Sequence, residues 1–94
     1  MNIEKIIREN SGTIVDVRTR EEFDGAKVER SVNIPLQEIE ISMSEIQELK
    51  FPLILCCASG NRSGIAQQIL AGKGIECING GSWVDVQYYQ TQTV

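Results

Sequence analysis

Apolar positions along the 94-residue chain change their spacing several times, and each change predicts a new element. Ile3, Ile6 and Ile7 form one helical stripe that stops at Asn10-Ser11-Gly12. Thr13 to Val17 follows as a strand, and Thr19 with Glu22 three residues later is a capping box that opens a short helix toward Gly25. Ser31 to Ile34 reads as a short strand ended by Pro35, followed by a helix around Ser44 to Leu49 with Ile46 and Leu49 inward. Leu53 to Cys56 is the most apolar strand. Ile65, Ala66, Ile69 and Leu70 then give a helical face between about Ser63 and Gly74, with Lys73 in the last turn. A last strand is expected at Ile75 to Ile78 and a turn at Gly80-Gly81, with Trp83, Val84 and Tyr88 forming the inner face of a closing helix.

Strand and helix alternating at this spacing predict an α/β fold with a parallel sheet and right-handed crossovers. Strands buried on both faces read as continuous hydrophobic runs, so Thr13 to Val17 and Leu53 to Cys56 are expected at the centre of the sheet, side by side. The crevice between their carboxyl ends is then where such sheets bind ligands, and Asp16, Arg18 and Cys57 all arrive there.

Composition sharpens this picture mainly by exclusion. A chain of this length is expected to be one domain over residues 1–94, with a single core that needs neither disulfide nor metal. No apolar run approaches the ~20 residues of a membrane-spanning helix. The segment from Met1 to Asn10 has neither a basic stretch nor a small-residue cleavage site, so the expected location is the cytoplasm and no membrane contact is foreseen. Three cysteines, two of them adjacent, fit neither an even disulfide framework nor paired zinc-site spacing, and free thiols are expected. Histidine is absent, which rules out a Ser-His-Asp triad, a Cys-His dyad and a His-ligated zinc. The net charge of -4 argues against a nucleic-acid partner. The charges crowd into the first half, leaving Arg62 isolated in a nearly neutral second half.

Candidate chemistry concentrates in Leu55-Cys56-Cys57-Ala58-Ser59-Gly60-Asn61-Arg62-Ser63, which runs from a buried strand into a helix start through small residues. Such a loop lets successive backbone N–H groups converge on one centre while the helix dipole adds partial positive charge. A cysteine at its entrance has its thiol pKa lowered without a histidine base, and the thiolate is the nucleophile. Cys57 is therefore the expected reactive residue, Cys56 and Cys77 packing residues. A purely structural role, two small hydrophobes ending a core strand, is the plain alternative.

These residues carry a family resemblance. Asp16-Val17-Arg18 with Glu22-Phe23, the segment Val32-Asn33-Ile34-Pro35-Leu36, the Cys57 to Ser63 loop as C-x-S-G-x-R-S, and Gly80-Gly81 occur in the order and spacing of the rhodanese-like (sulfurtransferase) domain family, over roughly residues 12–86. The resemblance implies a three-layer fold, a small open parallel sheet of four to five strands with helices on both faces. It also implies that Cys57 takes a sulfane sulfur from thiosulfate, a polysulfide or a persulfide, holds it as a persulfide, and passes it to a thiol or cyanide-type acceptor, a partner protein included. Ala58, Ser59, Gly60, Asn61, Arg62 and Ser63 would bind the donor, with Arg62 at the rim or bracing the loop, and Asp16 and Arg18 would support it from behind. An ion pair from Arg18 to Glu22 is an equally plain role for that arginine. No cofactor and no metal are implied.

Three departures matter. The family's G-H-I-x-G-A becomes Ala26-Lys27-Val28-Glu29-Arg30-Ser31, without either glycine or the histidine. Ala58 stands where many relatives carry arginine, which predicts weaker thiosulfate use. The edge strand that often opens the fold is expected to be absent or reduced to Asn2-Ile3. Two rival functions remain open. Counting from Cys56 gives C-x5-R-S through Arg62, the spacing of cysteine phosphatases and some arsenate reductases, and a non-catalytic interaction module is the third possibility.

Overall fold

A computed structural model describes residues 2–92. The chain runs α1 (Ile3–Glu9), β1 (Thr13–Asp16), α2 (Arg20–Gly25), β2 (Val32–Asn33), a 3-10 turn at Leu36–Glu38, α3 (Met43–Gln47), β3 (Leu53–Cys57), α4 (Asn61–Gly72), β4 (Cys77–Ser82) and α5 (Trp83–Thr91). The four strands form a parallel sheet in the order β2-β1-β3-β4. The two most apolar strands are the central pair, as expected, and the chain winds outward from them in opposite directions. The crevice at the carboxyl ends of β1 and β3 is thus the switch point of the sheet.

Alternation along the strands splits the core into two layers. Val15, Val17, Leu53, Leu55 and Cys57 face Ala66 and Leu70 of α4, with Ile39 just after the 3-10 turn and Ile46 of α3. Ile14, Ile54 and Cys56 face the other way, against Ile7 of α1 and Val86 of α5. Each buried side chain of this size contributes about 1.5–3 kcal/mol, so the two layers supply most of the driving force.

Local signals explain most boundaries. Asn2 caps α1 by accepting the Lys5 N–H at 3.0 Å, so the Asn2-Ile3 segment opens a helix and no strand forms there. Thr19 and Glu22 form the expected capping box at α2. Arg30 takes φ 65° at the position where the resemblance places a glycine, so the backbone turn survives without that residue.

Elsewhere the structure corrects the sequence. α4 starts at Asn61, two residues early, and its inward stripe is Ser63, Ala66 and Leu70, while Ile65 is 50% exposed. The stripe begins on a serine because that turn faces the Cys57 sulfur, not the oily core. In α5 the inward residues are Trp83, Val86 and Tyr89, spaced by three, and Val84 and Tyr88 lie on the outer face. Gly80-Gly81 is no turn: β4 continues through it with a register shift, Asn79 pairing with Leu55 and Gly81 with Cys56. Gly80 is the extra residue of a bulge, packed so tightly that a Cβ would lie 2.9 Å from Ile54 Cγ2.

Candidate active site at the Cys57 loop

Cys57 is the last residue of β3, and its side chain points to the α4 layer, buried at the floor of the loop. Gly60 adopts φ 97°, a conformation that L side chains rarely take, and this turns the chain back so that α4 starts directly above the sulfur. No side-chain oxygen caps α4. The thiol sulfur occupies that place: the Gly60 N–H lies 3.0 Å from Cys57 Sγ and the Ser63 N–H 3.4 Å, with Ser63 Oγ at 3.5 Å. Burial pushes the Cys57 thiol up, while the Ser63 hydroxyl, when it donates to the sulfur, and the Ser63, Ser59 and Gly60 amides bring it down, and the net shift is downward. The arrangement sets converging N–H groups and the positive end of a 12-residue helix against the sulfur, which favours the thiolate form.

The expected donor-binding residues surround this sulfur in two tiers. Ala58, Ser59 and Asn61 are exposed along the outer rim, Gly60 and Arg62 are half-buried, and Ser63 is buried beside Cys57. Arg62 braces the loop: its guanidinium makes a two-point pair with Glu22 at 2.7 and 3.0 Å. Glu22 thereby does double duty, since Oε1 also accepts the Thr19 N–H at 2.9 Å in the capping box. The Arg62 contacts and the Thr19 N–H hold the Glu22 carboxyl down to about 2.

Asp16 and Arg18 reach the carboxyl end of the sheet but turn to the other face. Arg18 pairs with Asp16 at 2.7 Å rather than with the Glu22 carboxylate, and its side chain lies 4.8 Å from the Trp83 ring centroid. It donates to the backbone carbonyls of Glu22 at 3.3 Å and Ala26 at 2.7 Å. The link to the Cys57 loop is indirect: Asp16 fixes Arg18, Arg18 fixes the α2 backbone, and α2 presents Glu22 to Arg62.

Sequence reasoning missed Asn79. Its Oδ1 accepts from Ser63 Oγ at 2.7 Å and from the Gly81 N–H at 2.9 Å, and its Nδ2 donates to the Gly60 carbonyl at 3.0 Å. One amide side chain on β4 thus ties together the loop glycine, the serine beside the thiol and the bulge. The only signal in the sequence is its place before Gly80-Gly81, which alone predicts a turn.

The C-x5-R-S spacing does not describe a site here. Cys56 has no exposed surface, sits in the α1/α5 layer with Ile7, Ile14 and Val86, and has its thiol pushed far up by burial and then by Asp16. Arg62 and the loop amides serve the opposite face. Cys77 is a packing residue whose Sγ lies 3.8 Å from the Gln67 carbonyl, and burial raises its thiol too. Among the described residues no helix is long and apolar enough to cross a membrane, and no group of three His, Cys, Asp or Glu side chains is placed to hold a metal.

Comparison with known proteins places this geometry. The family model described as Rhodanese-like domain matches residues 2–87. The chain is 33% identical over 73 residues to the Bacillus subtilis protein named "Putative sulfur carrier protein YrkF", covering 78% of this chain and 39% of that protein. It is 34% identical over 61 residues to "Adenylyltransferase and sulfurtransferase MOCS3" of Drosophila persimilis, covering 58% of this chain and 14% of that protein. The chain thus spans well under half the length of these curated relatives. Its fold is similar to the crystal structure of a rhodanese-related protein from Thermoplasma volcanium, with a TM-score of 0.76 at 23% identity over 99% of this chain and 93% of that one.

Proposed function

This chain belongs to the rhodanese-like domain family, and from that premise we propose that it is a sulfurtransferase whose sulfur carrier is Cys57. The supporting observation is the set of donors on one sulfur, the Gly60 and Ser63 N–H groups at 3.0 and 3.4 Å, with the net lowering of that thiol. Relatives named as a sulfur carrier and a sulfurtransferase point the same way.

In the first half-reaction the Cys57 thiolate attacks the outer sulfur of the donor. A new S–S bond forms as the bond to the donor remainder breaks, and the electron pair leaves with that remainder: sulfite from thiosulfate, or a polysulfide one sulfur shorter. In the second half an acceptor thiolate or cyanide attacks the outer sulfur of the persulfide, and Cys57 leaves as thiolate. No oxidant enters, because sulfane sulfur is transferred at constant overall oxidation state. The Gly60 and Ser63 amides, aimed at the sulfur before reaction, would hold the charge that builds on the persulfide, and the remaining amides of the Ala58 to Arg62 loop would meet the donor. The exposed rim of Ala58, Ser59 and Asn61 leaves room for an acceptor thiol on a partner protein.

Ala58 sets the donor preference. A thiosulfate dianion gains most from a second cation beside the nucleophile, and Arg62 is already committed to Glu22. A polysulfide or persulfide donor is therefore preferred. Sulfur transfer to cyanide is expected to have a higher kcat/KM with polysulfide than with thiosulfate, and Ala58→Arg to raise the thiosulfate value selectively. Equal use of both donors, unmoved by Ala58→Arg, would overturn this preference.

A further inference from the structure

We propose that Asn79 is a positioning residue that withholds the Ser63 hydroxyl proton from the Cys57 sulfur, leaving the thiolate to the backbone amides. The inference rests on the assignment of Cys57 as the reacting thiol and deepens it.

The argument is a count of hydrogens. The Gly81 N–H can only donate and the Gly60 carbonyl can only accept, so their contacts with Asn79 at 2.9 and 3.0 Å fix which end of the amide is oxygen and which is nitrogen. Asn79 Oδ1 therefore faces Ser63 Oγ at 2.7 Å as an acceptor with nothing to give. The hydroxyl has one proton, and two acceptors compete for it, Oδ1 at 2.7 Å and Cys57 Sγ at 3.5 Å. The shorter contact to an oxygen wins. While the proton points to Oδ1, Ser63 turns a lone pair toward Cys57, and the hydroxyl lowers this thiol only when the proton swings to the sulfur, so the standing share falls to the amides.

Charged groups around this triangle do not alter the competition. Arg62 is tied to Glu22, and Asp16 with Arg18 lies across the sheet on the Cys56 side. The two amides on the sulfur stay in place whichever way the hydroxyl points. Asn79 thus keeps the thiol from being over-stabilised as thiolate, and a thiolate of lower pKa is a weaker nucleophile. The same side chain ties down the Gly60–Asn61 peptide through the Gly60 carbonyl, on the far side of Gly60 from the N–H that meets the sulfur.

The test is a cycle of variants in the full chain, read by ultraviolet thiolate absorbance against pH, each trace corrected with its Cys57→Ser counterpart. This reports the Cys57 titration whether or not the protein transfers sulfur, so failure here and failure of the proposed function are separate results. In the wild-type background Ser63→Ala is expected to leave the Cys57 titration nearly in place. In the Asn79→Ala background the freed hydroxyl turns to the sulfur, and Ser63→Ala then raises the midpoint by roughly one pH unit, the size of one hydrogen bond to the thiolate. Asn79→Asp keeps both acceptor contacts and the volume but loses the donation to the Gly60 carbonyl, and denaturant unfolding of each variant checks that it folds. Ser63→Ala is expected to be nearly silent in the Asn79→Asp background as well. The same upward shift on Ser63→Ala in all three backgrounds would overturn the proposal, because the hydroxyl would then serve the sulfur regardless of Asn79, and so would no shift in any of them, because the hydroxyl would then never reach the sulfur.

Discussion

Cys56 and Cys57 are adjacent residues of one strand, both buried, yet their thiols are pushed in opposite directions. Cys56 looks into a closed apolar layer between the sheet and α1/α5, where nothing donates to its sulfur and Asp16 adds an unfavourable negative charge. Cys57 looks into the layer under α4, at a helix start that has no side-chain cap and turns its free N–H groups onto the sulfur. Burial is common to both. What separates a raised thiol from a lowered one here is one residue of strand alternation and the direction of two N–H bonds.

The contrast can be broken most dramatically by chemistry. In the native protein at neutral pH a small alkylating reagent is expected to modify Cys57 at least about 100-fold faster than Cys56, as mass mapping of the labelled peptides would show. Comparable rates would mean that the closed layer opens as readily as the loop. Next in size are the stability effects. Leu55→Ala, in the core of the Cys57 layer, should cost about 2–5 kcal/mol in denaturant unfolding. Cys56→Ser, which strands a hydroxyl in the apolar layer, should cost about 1–3 kcal/mol while sparing sulfur uptake.

A smaller change sharpens the role of the loop backbone. Gly60→Ala forces a side chain into φ 97°, with its Cβ 3.4 Å from Gly81 Cα, and the expected cost is about 1–2 kcal/mol. Because the Gly60 N–H is aimed at Cys57, the thiol titration should rise in this variant, whereas Cys56→Ser leaves it in place. The smallest effect belongs to the Glu22–Arg62 pair, which is about one-third exposed and screened by solvent. Glu22→Gln should lower stability by at most about 1 kcal/mol. The sign with pH follows from the folded carboxyl being held down to about 2: the pair's contribution is present above the ordinary carboxylate range and is lost as pH falls toward that value. Unfolding of wild type and Glu22→Gln compared at about pH 6 and about pH 2.5 should show the difference shrinking at the acid end.

Much of this was legible in the sequence. The apolar runs at Thr13 and Leu53 predicted the central strands, the Thr19/Glu22 pair predicted its helix cap, and the small-residue loop after Cys57 predicted converging amides. Side-chain partners across long separations were not legible. Glu22 and Arg62 are 40 residues apart, and local spacing suggested Arg18 as the partner four positions away, but that side chain turns back to Asp16. Asn79 was hidden because a glycine pair reads as a turn by composition, while here it makes a bulge that only sheet pairing produces. The face of α4 shifted for a similar reason, because Ser63 answers to the sulfur, which hydrophobic periodicity does not register; on α5 Trp83 faces inward as expected, with Val86 and Tyr89 in place of Val84 and Tyr88.

The central claim is that Cys57 carries the sulfur. Intact mass of the reduced protein after incubation with polysulfide, and separately with thiosulfate, tests it on wild type, Cys56→Ser and Cys57→Ser. Wild type and Cys56→Ser should each gain one sulfur atom that is lost again on treatment with a thiol or cyanide, while Cys57→Ser gains none. A labile sulfur retained in Cys57→Ser and lost in Cys56→Ser, or no uptake by any variant from either donor, would contradict the account.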